Sequence, residues 1–125
     1  MGKKVPYKPL VHIPRANYLG MLTRIEESEG KYGKSWNVIG TVKEGKHNGT
    51  DIAGYFPYEA TPRNKTGKLI SQLLGSDALK REPDIEELLN ITCYLKVDDH
   101  EIKETGEVVS KLTGVIKYEP GTPTV

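Results

Sequence analysis

Residues 54–75 read GYFPYEATPRNKTGKLISQLLG, and the reading of this stretch decides the fold. It begins as an aromatic strand, with Phe56 on one side and Tyr55 on the other. A Thr-Pro-Arg-Asn-Lys turn follows at 61–65. Leu69, Ile70, Leu73 and Leu74 then fall at i, i+1, i+4 and i+5, one apolar stripe over two helical turns. Thr66 is the expected N-cap and Gly75 the expected stop, which predicts a helix over 66–74.

Three strands are expected up to this corner. YLGMLTRIEES (18–28) puts Leu19, Met21 and Ile25 on one side, and Gly20 marks a bulge or sharp bend. SWNVIGTVK (35–43) sets Trp36, Val38 and Val42 against Ser35, Asn37, Thr41 and Lys43. DIAGYFPY (51–58) turns Ile52 and Phe56 inward, Ala53 and Tyr55 outward. The connections EGKYGK and EGKHNGT are short and glycine-bearing, so the three strands form a meander. After the helix, PDIEELLN offers a further helical turn capped by Asp84. ITCYLKVDD (91–99) turns Ile91, Cys93, Leu95 and Val97 inward. VVSKLTGVIKYE (108–119) does the same with Leu112 and Ile116, across an acidic loop at 98–107.

Three strands, a helix and two strands, each strand with one apolar face, bury that face by curling shut. The expected fold is all-β with one short helix: a five-stranded OB-type Greek-key barrel whose helix, between strands 3 and 4, plugs one end. Gly20, Gly40, Gly54 and Gly114 supply bending points. An open α+β sheet with the helix lying across it is the rival, but one short helix covers little of an open sheet. The domain is expected over 16–118. A proline-bearing arm at 1–15, whose PLVHIP stretch pairs along a sheet edge, precedes it, and a flexible tail at 119–125 follows.

At 125 residues, 36% hydrophobic and 28% charged, the chain suits one globular domain. No apolar run is long enough to span a membrane, and the basic N-terminus lacks the apolar core of a signal peptide. Pro6 stands where a myristoylation site needs Ser or Thr. Cys93 is the one cysteine, which excludes an intrachain disulfide and fits a reducing compartment, with a cytoplasmic location expected. The net charge of +1 hides an asymmetry. Residues 1–81 carry 14 Lys and Arg against 7 Asp and Glu, while residues 82–125 carry 4 against 10.

Little points to catalysis. His12, His47 and His100 lie apart, with no carboxylate or cysteine at metal-ligand spacing. Cys93 alternates with apolar residues and reads as buried and inert. Asp98, Asp99 and Glu101 lack the spacing of a calcium loop. Gly67-Lys68 is followed by leucine and has no glycine five positions earlier, so it is no phosphate loop. Lys65, Thr66 and Lys68 could still hold an anion at the helix start. The expectation is a non-enzyme without metal or cofactor.

Binding uses more of the sequence. Single-stranded nucleic acid is held by aromatic platforms beside basic side chains. In an OB-fold the ligand crosses strands two and three between flanking loops. Asn37, Lys43, Tyr55 and Tyr58 fall on or beside that face, and Lys31, Tyr32 and Lys34 in its first flanking loop. Trp36 reads as core by alternation, yet its place at the strand start also suits the rim. Arg63 at the corner and outward Tyr94 complete the candidate set. Outward tyrosines also serve cross-strand pairing.

The pattern YLGMLTRIEES, GKSWNVIGTV, GTDIAGYFPY, GKLISQLLG and LLNITCYLKVDD resembles small phage and prophage proteins encoded among replication and recombination functions. The likeness covers residues 16–118 and is most specific at GKLISQLLG. Asn90 stands where that family usually has glycine. The resemblance implies an OB-fold protein that binds single-stranded DNA, or RNA, with little sequence preference, alongside replication or recombination proteins. The alternative is an OB-like module that binds protein through its acidic segment at 82–107.

Overall fold

The structure, a computed structural model, describes residues 2, 3, 5 and 11–119. Seven of the fifteen residues of the expected arm and all but the first residue of the expected tail lie outside those residues. Strands β1 (Ala16–Gly30), β2 (Gly33–Val42) and β3 (Asp51–Pro57) precede helix α1 (Lys65–Leu74). Two 3₁₀ turns, Ser76–Arg81 and Ile85–Leu88, lead into β4 (Cys93–Glu101) and β5 (Val108–Lys117). The strands form one five-stranded antiparallel sheet in the order β3-β2-β1-β4-β5. The protein is thus mostly β with one short α-helix.

The sheet is not closed by hydrogen bonds. Among the described residues no ladder joins β3 to β5. These two edges still meet: a Cβ on Gly54 would run into the backbone carbonyl of Leu112, so only glycine allows the approach. Further along β5, Ser110 N–H donates to the Val11 carbonyl at 2.9 Å and Ile13 N–H donates to Ser110 Oγ at 2.8 Å. That is the described part of the expected edge pairing by PLVHIP.

The core forms on the inner face. Ile52 and Phe56 enter from β3, Val38 and Val42 from β2, and Cys93, Leu95 and Val97 from β4. Alternation placed all of these correctly. It failed at two points, both for the same reason. Thr23 is unpaired between Leu22↔Gly40 and Arg24↔Ile39, so a bulge resets the parity of β1. Leu22, fully buried, and Ile25 therefore share the core side, and Leu19 and Met21 do not. Likewise Thr113 is skipped between Lys96↔Gly114 and Val97↔Leu112. Leu112 and Val115 then both point inward, and Ile116, expected inside, is exposed. The β4–β5 loop is also shorter than expected, since Glu101 pairs with Val108.

Helix α1 packs its Leu69 and Ile70 into this core, while Leu73 and Leu74 are only partly buried against it. Its N-cap is Asn64, not Thr66. The Asn64 Oδ1 accepts from Gly67 N–H at 2.9 Å and from Thr61 N–H at 3.1 Å, and its Nδ2 donates to the Glu59 carbonyl. Gly75 ends the helix with φ 94°. Because Asn64 ties the corner as well as the helix, Asn64→Ala is expected to cost about 2 kcal/mol in a urea melt, the upper end for a cap. Asn90, just before β4, has φ 63°, a left-handed conformation that asparagine tolerates better than other non-glycine residues.

Candidate nucleic-acid interface

On the outer face of β1–β3, the cross-strand row Glu26, Asn37 and Tyr55 lies at the centre. Tyr55 is 64% exposed. Beneath this row the Asn37 side-chain oxygen is buried and accepts no hydrogen bond among the described residues. An unsatisfied buried acceptor costs about 1–3 kcal/mol. The Arg24–Glu26 ion pair at 3.0 Å borders the row. At the far end of the face, Thr41 bonds Thr23 at 2.9 Å and donates to Asp51 at 2.6 Å. That network closes the face there and explains why outward Thr41 is buried.

Two grooves near this row carry lysines. One, of about 340 Å³, runs along the β1–β2 turn and is lined by Lys31, Tyr32, Lys34 and Tyr55. Tyr32 is 95% exposed and has Lys31 Nζ 5.8 Å from its ring. Lys34 is partly engaged, 3.3 Å from Glu27. The other groove, of about 500 Å³, lies between α1 and β4–β5, with Lys65, Lys68 and Lys96 along it. Lys65 links the two: its Nζ donates to the Tyr55 carbonyl at 2.9 Å and sits 4.6 Å from the Phe56 ring. Burial, and then the neighbouring Lys111, hold the Lys65 ammonium below its usual pKa. Among the described residues, Lys65, Lys68, Lys96 and Lys111 form no ion pair.

The structure brings together Lys31, Tyr32, Lys34, Asn37 and Tyr55 from the candidate set. Trp36 and Tyr58 form a separate stack, with ring centroids 5.0 Å apart at 16°, and Lys34 Nζ lies 5.4 Å from the Tyr58 ring. Lys43, just past the end of β2, stands six residues from Asn37, roughly 20 Å away by strand rise, and is not part of the row. Arg63 is exposed on the corner before α1. Tyr94 is on β4, where it pairs with Leu19 and Ile116 and meets Tyr118 edge-on at 5.8 Å. Thr66 is no anion ligand: it is buried, and its hydroxyl donates to the Pro57 carbonyl. The sequence reading left Lys96 and Lys111 out of the candidate set. Their outward parity was visible, but their nearness to Lys65 and Lys68 exists only once β5 lies against α1.

Cys93 is fully buried, and burial pushes its thiol up to about 11. His12 bonds Asp99 at 3.0 Å. Thr113 donates to Asp98 at 2.8 Å and Arg15 pairs with it at 2.7 Å, and both hold its carboxyl below the usual range. Asp98 is thereby neutralised in part, while Glu101, Glu104 and Glu107 of the 82–107 segment are exposed and, among the described residues, in no ion pair. Among the described residues no group of three His, Cys, Asp or Glu is placed to hold a metal. Among them, no helix is long and apolar enough to cross a membrane. No protein-family model and no curated protein matches the chain.

Proposed function

We propose that the protein is a non-catalytic binder of single-stranded nucleic acid, DNA or RNA, built on an OB-type barrel whose seam is the contact of β3 with β5. The strand order and the Gly54–Leu112 approach support the barrel. One observation carries the function: exposed Tyr55 lines one lysine-bearing groove, and Lys65 of a second such groove donates to its backbone carbonyl. A base stacks on Tyr55, and the strand's phosphates run past Lys31 on one side and Lys65, Lys68, Lys111 and Lys96 on the other. Ring faces and phosphates are common to all sequences, so little preference is expected. A role beside replication or recombination proteins of a phage or mobile element rests on the sequence resemblance alone.

Fluorescence anisotropy with labelled oligo-dT at low salt tests this reading. Micromolar protein should bind, and Tyr55→Ala should weaken binding by about 1–3 kcal/mol, the range for one stacked base. No anisotropy change at low salt, or equal binding by the Tyr55 variant, would remove this reading.

A further inference from the structure

A third groove, of about 640 Å³, flanks a different face of α1, where Thr66 and Ile70 line it in place of Lys65, Lys68, Leu69 and Gln72. One wall is the Trp36–Tyr58 stack. Trp36 Nε1 donates to the Tyr58 carbonyl at 2.9 Å, which fixes the indole. Its apolar lining is Ile70, Leu79, Ile85 and Leu88, from α1 and the two 3₁₀ turns. The polar lining includes three carboxylates, Glu59, Glu82 and Asp84.

The charge of this groove is unbalanced. Among the described residues no lysine or arginine lines it and none of its three carboxylates is in an ion pair, although Arg81 acts on Asp84 from outside the groove and the Asp84 side chain caps the second 3₁₀ turn. Arg81, next to Glu82 in sequence, is held by Glu87 outside the groove at 2.9 Å. Glu87 in turn accepts from Asp84 N–H, which sets this segment rigidly. A phosphate chain is repelled here, so the groove is not an extension of the nucleic-acid face. Its volume lies within the usual range of ligand sites, roughly 300–1,000 Å³.

An aliphatic and aromatic lining asks for apolar side chains. Uncompensated carboxylates ask for positive charge beside them. Lys34 Nζ already lies 5.4 Å from the Tyr58 ring, so an incoming lysine or arginine is drawn chiefly by the carboxylates. We propose that this groove docks a short segment of a partner protein in which aliphatic or aromatic anchors are set between lysines or arginines. The site stands apart from the nucleic-acid reading and does not depend on it. Together the two would make the protein an adaptor, with nucleic acid on one surface and a basic segment of another protein on a second.

Trp36 is the chain's one tryptophan, so its emission reports on this groove directly. The probe is a short tryptophan-free peptide with leucine and phenylalanine anchors between lysines. At low salt it should shift Trp36 emission saturably, and the same peptide with glutamate for lysine should not. The double variant Glu82→Gln, Asp84→Asn should lower peptide affinity roughly three- to tenfold, the range for two exposed charge contacts. Circular dichroism should show the variant folded, and its oligo-dT binding should match the parent, which separates this site from the first. The proposal is overturned by no saturable shift at millimolar peptide, by an equal response to the acidic peptide, or by unchanged affinity in the double variant. It is also overturned if emission shifts with protein concentration alone and sedimentation shows a dimer, because a second copy then covers the groove.

Discussion

Phe56→Ala is expected to cost about 3–5 kcal/mol of stability, while Tyr55→Ala beside it changes stability by about 0.5 kcal/mol or less. Phe56 is 1% exposed, paired with Trp36 across β2 and β3, and covered by Lys65. Removing its ring leaves a cavity among residues from β3, α1 and the facing strands, which cannot all close in. A domain of this size has about 5–15 kcal/mol in total, so the loss is a large share. Tyr55 points the other way and leaves no cavity. Urea melts with matched slopes measure the pair. Equal midpoints for Phe56→Ala and Tyr55→Ala would mean that the parity of β3 is inverted.

Replacing Lys31, Lys68, Lys96 and Lys111 together with glutamine is expected to lower oligo-dT affinity by roughly 10²–10³-fold at 0.1 M salt. On the proposed reading each lysine neutralises one phosphate, and each phosphate on a single strand contributes about 0.7 to the slope of log affinity against log salt. Four together flatten that slope by about 2.8. All four are exposed, so the fold should survive. Lys65 is left in place because it also covers Phe56. Lys43→Gln, remote from the track, should leave the slope unaltered. A salt series by fluorescence anisotropy decides the matter. An undiminished slope in the fourfold variant would place the phosphates elsewhere, and a slope change from Lys43 alone would move the track toward the far end of β2.

The candidate face was legible where the strands are regular. Tyr55 and Asn37 were assigned outward by alternation, and β3 and this part of β2 carry no bulge between them. Lys31, Tyr32 and Lys34 follow from the tight β1–β2 turn, where Gly30 pairs with Gly33. Lys43 was grouped with them because it shares their parity, but parity says nothing of distance along a strand. Trp36 was left between core and rim, and the structure explains both readings: it packs against the core and also walls a groove.

The sequence by itself determined the element order, the helix with its glycine stop, and the inner faces of β2, β3 and β4. Those follow from local periodicity and from glycine and asparagine at turns, which act over a few residues. Tertiary structure alone decided the bulges at Thr23 and Thr113, because an unpaired residue is defined by its partner strand. Leu22 and Val115 entered the core for that reason, against simple alternation. It also decided the Gly54–Leu112 contact and the gathering of Lys65, Lys68, Lys96 and Lys111. Charges separated in the chain become one surface only when the sheet curls and its edges meet, and no local pattern records that curl.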